Sequence, residues 1–541
     1  MVQIQFKGKV FVQNHHLLVK YHELVPVKEK SLTNKVSLKD NLIIHGDNLN
    51  ALKALLPLYA GKIKCIYIDP PYNTGNENWT YNDNVSSPMM QEWLGKVVDR
   101  EDLTRHDKWL CMMMPRLKLL KELLREDGVI FISIDENEQH HLTVLLNEVF
   151  GEASHLASFV WAARGGRGGT TAQVEMMHEY VASYAVCPQA AQLKPIVSKA
   201  EEGNYRDRKG SYRRELLRQW GQGDKREDRP HLYFPVLSPS GEEIYPRRAD
   251  GCDGRWRFGE QRVNQMLDEG DLDFVQNGQG DWIVYRKIRE GRESVTAAVS
   301  LLLDYGTASN ATIELKRIFG EKVFPSAKPT ALIRHLVESV CWKDKEAIVL
   351  DSFAGSGTTG HAVLSLNKED GGTRRFILVE CEDYADRITA ERVRRVIRGV
   401  PGARDEALRQ GLGGTFSYFE LGKAIELESI LSGENLPPYD DLARYVFYTA
   451  TGEEFDEAAV DRRTGFIGEG RNYQVYLFYE EDLARLKNLA FTLDMARSLP
   501  SLKEGKRRLV FAPTKYLDQQ FLDEFRIDFA QLPFEIYQLA K

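Results

Sequence analysis

Within four residues, Asp69-Pro70-Pro71-Tyr72 gathers a carboxylate, peptide carbonyls and an aromatic ring. Two consecutive prolines stiffen the backbone and remove two N–H donors, so the carbonyls are left as acceptors. An exocyclic amine carries two N–H donors, and the Asp69 carboxylate with the Pro70 carbonyl can receive both. Taking that nitrogen's lone pair out of ring conjugation would make it nucleophilic, and Tyr72 offers a face for a planar base. The plain alternative is a rigid loop with an exposed aspartate. A second loop, Asp351-Ser352-Phe353-Ala354-Gly355-Ser356-Gly357-Thr358, has glycines that let the backbone turn tightly and approach a ligand. Glu380 follows 23 residues after Gly357, where an acid accepts hydrogen bonds from ribose hydroxyls. The pairing points to a nucleoside-bearing cofactor. GxxxxGK[ST] is missing from this loop, which argues against an ATP-binding P-loop.

Both loops need strands to hold them. Asn41–His45 reads as a strand ending at Gly46-Asp47, followed by a helix over Leu49–Tyr59. Ile63–Ile68 is a second strand running straight into Asp69. An amphipathic helix from Trp109 to Arg125 stops at Asp127-Gly128, and the strand Val129–Ile134 follows. The rhythm lapses near Trp161 and resumes near Pro329 with a helix (Thr330 to Val340), a strand (Ala347–Leu350), the Gly loop, a strand (Phe376–Val379) and a helix from about Tyr384 to Arg398. Alternation of this kind predicts an α/β fold with a parallel sheet covered by helices.

The intervening stretch mixes aromatics with Arg and Lys, as at Tyr212-Arg213-Arg214, Arg255-Trp256-Arg257 and Tyr285-Arg286-Lys287. Such a surface suits phosphates and bases, or is simply a solvated face. Net charge is -7 for 541 residues, and residues 401–541 alone hold about 17 basic against 24 acidic side chains, leaving the rest neutral. The acidic excess is thus confined to a segment poorly suited to phosphate contact. Six scattered cysteines form no CxxC pair, so neither a zinc site nor a disulfide framework is expected. No apolar run is long enough to span a bilayer and no secretory signal is apparent, so a cytoplasmic location is expected. The pairs His15-His16 and His140-His141 lack metal-ligand spacing and are expected at the surface. Met112-Met113-Met114 is expected in the core, and Asp135-Glu136 in a capping role.

DPPY followed by an FAGSG loop resembles the amino-methylating DNA methyltransferases, in the β-type permuted order with a large insert between the two. DPPY is the form associated with adenine N6 and SPPY with cytosine N4. His45-Gly46-Asp47-Asn48, DPPYNTGN at 69–76, Tyr81-Asn82-Asp83-Asn84, GVIFISID at 128–135, Lys328-Pro329 and RFILVE at 375–380 look closer still to the modification (Mod) subunits of type III restriction systems. The likeness covers about residues 40–150 and 320–400; the family's usual Asp-Pro-Phe is Asp351-Ser352-Phe353 here.

The resemblance implies a Rossmann-like, circularly permuted S-adenosylmethionine-dependent methyltransferase. Its expected divisions are an N-terminal extension (1–40), a catalytic half (41–154), a target-recognition domain (155–322), a cofactor half (323–400) and a C-terminal α/β domain (401–541) for dimerisation or docking. It further implies catalytic roles for Asp69, Pro70, Pro71 and Tyr72. Cofactor contacts would come from Asp47 (adenine), Lys328 (carboxylate), Glu380 (ribose) and the loop Asp351, Phe353, Ala354, Gly355, Ser356, Gly357 and Thr358. The loop after Tyr72 through Asn84 would close over an extruded base. Expected partners are double-stranded DNA, a second copy of the chain and a separate restriction subunit, with no metal and no membrane. Rival expectations are an orphan enzyme, cytosine-N4 specificity, an RNA or protein methyltransferase, or a non-catalytic DNA-binding subunit. The absence of a Pro-Cys dipeptide argues against cytosine C5 chemistry.

Overall fold

Apolar runs too short for helices and buried on both faces become the strands of one large sheet. A computed structural model describes residues 3–74, 105–166, 173–199, 203–278, 280–291, 293–425 and 436–532. The sheet's elements are β1 (His22–Pro26), β2 (Leu42–His45), α1 (Asn48–Tyr59), β3 (Ile63–Ile68), α2 (Arg105–Leu123), β4 (Leu124–Ile134), α3 (Gln139–Phe150), β5 (His155–Trp161), β6 (Glu179–Ala185) and β7 (Leu301–Leu302). They continue with α4 (Ala308–Phe319), α5 (Thr330–Cys341), β8 (Ile348–Asp351), α6 (Thr358–Asp370), β9 (Arg375–Glu380), α7 (Glu391–Arg398) and β10 (Ser417–Ala424). The strand order is β1-β10-β2-β9-β8-β3-β4-β6-β5-β7. From β10 to β4 every pairing is parallel. Every strand of that block therefore ends at the same rim, where a parallel sheet binds its ligands.

The core lies on both sheet faces. Leu42, Ile44, Ile66 and Ile68 pack against α1 and α2 on one side. Cys65, Tyr67, Val349 and Phe376 pack against α5 and α6 on the other. Near-continuous burial along β3, β8 and β9 is the mark of strands covered on both faces. Asp47 caps α1 by accepting from the Asn50 amide, which fixes how the chain leaves β2.

The sheet is wider than the sequence divisions allow. β10 lies beyond residue 400 yet pairs in parallel with β2, Ser417 against Leu42 and Glu420 against His45. β1, from the supposed extension, closes the same edge. Tyr418 and Phe419 are buried, so the apolar alternation after the Gly413-Gly414 turn supplies a strand the core needs. On the other edge β5, β6 and β7 are sheet strands, and the compact inserted unit is narrower than 155–322, running from Pro195 to Ala298.

That unit has its own core (Leu217, Phe234, Trp256, Val263, Met266 and Val284 among others), a helix Glu260–Asp268 and a four-stranded antiparallel sheet. Many of its basic residues serve the unit itself. Arg214 pairs with Asp273, Arg257 and Arg286 with Glu215, and Lys287 and Arg289 with Asp207. Arg206, Arg208 and Arg213 are exposed and outside those pairs. C-terminal to β10, the helix Tyr439–Thr451 covers a second four-stranded sheet formed between Phe466 and Gln531. No helix among the described residues is long and apolar enough to cross a membrane.

Candidate active site

β3 and β8 are neighbours in register, Ile66 beside Leu350, so the two loops leave the sheet side by side. Asp69 is three residues past Ile66 and Phe353 three past Leu350, on strands about 4.8 Å apart. On the far side of β8 lies β9, and Glu380 at its end faces His45 of β2. Parallel pairing alone therefore collects Asp47, Asp69, Asp351 and Glu380 at one rim.

The two loops line adjoining cavities. The larger, of about 250 Å³, is lined by Asp69, Pro70, Pro71, Tyr72, Asp135 and Glu179 among others. The smaller, of about 40 Å³, is lined by Asp351 and Phe353 through Ser356, with Thr358 and Thr359. Asp69, Phe324, Ser326 and Lys328 are walls of both.

Three side chains, Trp109, Glu179 and Glu138, fix the first loop. The Trp109 indole N–H donates to the Pro71 carbonyl at 2.7 Å, tying the loop to α2. The Tyr72 hydroxyl donates to Glu179 Oε2 at 2.9 Å. Asn73 follows in the left-handed region (φ 56°), where its amide nitrogen donates to the Arg105 carbonyl and to the fully buried Glu138. His106 and His141 also contact the Glu138 carboxylate, at 2.6 and 2.9 Å. These three side chains bring ligand-type atoms within 4.8 Å of one another, a grouping that spacing did not reveal because His106 and Glu138 lie 32 residues apart. The predicted closing segment through Asn84 lies outside the described residues beyond position 74.

Lys328 is a cation common to both cavities. Its Nζ lies 2.8 and 2.7 Å from the two Asp69 oxygens and 3.5 Å from Glu179 Oε2. It sits 4.9 Å from the Tyr72 ring centroid, and its side chain is 8% exposed. The resemblance sends this lysine to a cofactor carboxylate; here it is brought to the carboxylate of the other loop. Burial alone would lower the Lys328 pKa, but Asp69 and Glu179 override it and hold it above the usual lysine value. Burial raises the Asp69 carboxyl, with Lys328 opposing.

The Gly loop is fixed from beneath. Asp351 accepts from the Phe353 amide at 3.0 Å and the Thr359 hydroxyl at 2.5 Å. Glu380 accepts from the Gly355 amide at 2.7 Å and the Glu382 amide at 3.0 Å. Burial pushes both carboxyls up to about 7. Gly355 and Gly357 have φ of 51° and 77°, and a Cβ at Gly357 would stand 2.8 Å from the Thr389 carbonyl oxygen. Arg392, almost wholly buried, donates to Ser356 Oγ at 3.0 Å, Thr358 Oγ1 at 2.8 Å and Glu314 at 2.9 Å. Burial alone would raise the Glu314 carboxyl, yet His361 and Arg392 hold it well below the usual range. Asp47 accepts from Arg116 at 3.2 Å as well as capping α1. The Ser352 hydroxyl, where proline is usual, is buried with no partner among the described residues.

Glu179, Trp109, Asn73 and Arg392 were not singled out by sequence reasoning. Each acts through a partner more than thirty residues away, and of the four only Asn73 falls within a quoted motif, where it was given no role of its own. His16 was expected at the surface but is buried, and burial lowers its pKa to about 4. His141 is half-buried against Glu138. Met113 and Met114 are in the core. Asp135 holds the turn into α3 through Asn137 while also lining the larger cavity.

The donor and acceptor set fits a sulfonium nucleoside amino acid. Acidic acceptors stand at the ends of β2 and β9, a tight glycine turn leaves the adjoining β8, and one lysine is within reach. Comparison with known proteins agrees. The DNA methylase family, N6_N4_Mtase, matches residues 63–391. The EcoPI Mod subunit of a type III restriction-modification enzyme, from Escherichia phage P1, is 31% identical over 74% of this chain and 68% of its own length. The StyLTI Mod subunit of Salmonella typhimurium is 30% identical over 73% of this chain and 62% of its own. The type II methyltransferase M.KpnI of Klebsiella pneumoniae is 30% identical over 62% of this chain and 79% of its own. The shared rim, the family match and these relatives place the chain in the DNA methylase family, as an S-adenosylmethionine-dependent DNA methyltransferase.

Proposed function

We propose that this chain methylates the N6 amino group of adenine in duplex DNA, as the modification subunit of a type III restriction system. The observation that carries the reading is the common wall of the two cavities: Asp69 and Lys328 belong to both. A methyl group has only to cross between neighbouring strand ends.

An adenine inside a stacked duplex must be rotated out, at a cost of a few kcal/mol. The larger cavity receives it, with Tyr72 as the stacking face and the Asp69 carboxylate and Pro70 carbonyl accepting the two amine hydrogens. Bound S-adenosylmethionine supplies an electrophilic methyl group on a sulfonium. Gly355 and Gly357 let the loop wrap its methionine part, Glu380 keeps acceptor capacity for ribose hydroxyls, and Asp47 stands at the adenine end. With that donor bound, the adenine nitrogen would form the new N–C bond as the C–S bond broke, and the C–S electron pair would stay on sulfur. The surplus proton leaves the nitrogen for Asp69 or water after transfer. Asp69 thus acts as an acceptor that orients the amine, and position with electrostatics supplies most of the rate.

Arg206, Arg208 and Arg213 of the 195–298 unit are proposed to meet the DNA backbone, and the acidic C-terminal region to dock a second copy or a restriction subunit. A second reading, a stand-alone methyltransferase, is favoured by the likeness to M.KpnI. The test of specificity is incubation of duplex DNA with methyl-labelled cofactor, followed by digestion to nucleosides. The expected label is in N6-methyl-2′-deoxyadenosine; label in N4-methyl-2′-deoxycytidine, or none in DNA, would refute the adenine assignment.

A further inference from the structure

The Lys328 ammonium stands between two carboxylates and holds one of them closer than the other. Lys328 lies along the open side of the Asp69 carboxylate, nearly equidistant from both oxygens at 2.8 and 2.7 Å. It thus occupies lone pairs of the carboxylate that is proposed to accept one amine hydrogen. During transfer the adenine nitrogen gains positive charge, and an ammonium held at the same carboxylate would oppose it. A second acceptor stands ready. Glu179, the first residue of β6, has Oε2 at 3.5 Å from Nζ, and a shift of about 0.7 Å would bring them to ordinary ion-pair distance. The same oxygen accepts the Tyr72 hydroxyl, so the glutamate is already fixed beside the stacking face. Tyr72 and Trp161 rings, 4.9 and 5.9 Å from Nζ, wall the ammonium between the two acids.

From this arrangement, and resting on the adenine reading above, we propose that Glu179 is a positioning residue that draws Lys328 off Asp69 when the base enters. Asp69 is then left to the amine. The transfer of Lys328 between acids needs no proton movement and no backbone change. It also keeps the buried ammonium paired throughout, which avoids the large penalty of an isolated buried charge. In this proposal Glu179 acts on Asp69 through Lys328.

The test is a double-mutant cycle on the full chain, with methyl transfer to unmethylated genomic duplex DNA and equilibrium binding of labelled S-adenosylmethionine as readouts. Glu179→Gln keeps an oxygen for the Tyr72 hydroxyl but removes the charge. It is expected to lower kcat about tenfold while changing the cofactor Kd less than about twofold. Lys328→Met should retain measurable turnover at saturating cofactor, and Glu179→Gln added to it should cost less than about twofold more. Where Glu179→Gln does not fold, Glu179→Asp reads the same coupling, with the charge withdrawn by one methylene. Equal losses in both backgrounds, an unchanged kcat in Glu179→Gln, or a dead Lys328→Met at saturating cofactor would overturn the proposal. An active wild type with any of these results overturns it alone, whereas a wild type inert on DNA overturns the functional reading with it.

Discussion

The two loops that meet at the rim are built to different standards of fixity. The Gly loop rests on groups that have nowhere else to go: Asp351 and Glu380 accept its amides, and Arg392 reaches its hydroxyls from a buried position beneath. The 69–73 loop has a fixed backbone, through Trp109 and Glu138, but its working carboxylate is held by a lysine with a second acid in reach. A loop that binds a ligand gains from rigidity, because ordering costs are met at folding. A carboxylate that must change partners during a reaction gains from an exchangeable one. Neighbouring strand ends can therefore carry a cradle and a switch without any change in the sheet.

Four substitutions would sharpen or break this contrast. The largest effect is expected at the switch side. Asp69→Ala should lower methyl transfer by at least about a thousandfold while leaving cofactor binding within a few-fold, since the Gly loop has its own supports. Loss of cofactor binding in that variant would show that the loops are not separate devices. Next comes Arg392→Leu, which strands Glu314 without its buried cation. About 3–5 kcal/mol of stability should go, seen in denaturant unfolding, with weaker cofactor binding in the folded fraction. Trp109→Phe removes the indole hydrogen bond to the Pro71 carbonyl and trims the buried bicycle to a single phenyl ring. It should cost about 1–2 kcal/mol of stability and lower kcat more than it raises the cofactor Kd. A rise in Kd alone would place the effect in the cradle.

The smallest effect is a pH dependence in the cradle. Burial raises Asp351 from 3.8 to about 7, so the folded state holds this proton more tightly than the unfolded chain does. Stability from that preference is complete below about pH 4 and is lost as pH rises through 7. Asp351→Asn loses a hydrogen-bond acceptor at every pH but escapes this ionisation. Its melting temperature relative to the wild type should therefore climb by about 2–4 °C between pH 5 and pH 8. A flat difference would mean that Asp351 is ionised throughout.

Much of the sheet was legible in the sequence because its strands are short, apolar and followed at once by chemistry. Ile63–Ile68 matches its expected limits, and β8 and β9 lie within one residue of theirs. Limits drifted where tertiary pairing overrode a local signal. Asp127-Gly128 reads as a helix stop, yet Leu124 already pairs with Ile63 and the strand begins there. β1 and β10 were assigned to flanking regions because nothing local says that a strand will be recruited to a distant edge. The backbone motifs of the site were legible for the same local reason. Its supporting side chains were not: Glu179 and Arg392 are ordinary residues until the fold sets them beside Tyr72 and Ser356. Charge composition left both phosphate contact and a solvated face open in the inserted unit, and there Arg214, Arg257 and Arg286 pair with its own acids.

The central claim is that a base in the 69–72 cavity and a methyl donor at the 353–357 turn share one line of transfer. A crystal structure of the chain with S-adenosylhomocysteine and a cognate duplex tests it most directly. The expected result is an extruded adenine with N6 at Asp69 and Pro70, and the sulfur bound at the Gly turn, separated by little more than the length of a transferring methyl group. A sulfur ligand bound at another rim, or an adenine whose N6 points away from Asp69, would contradict it.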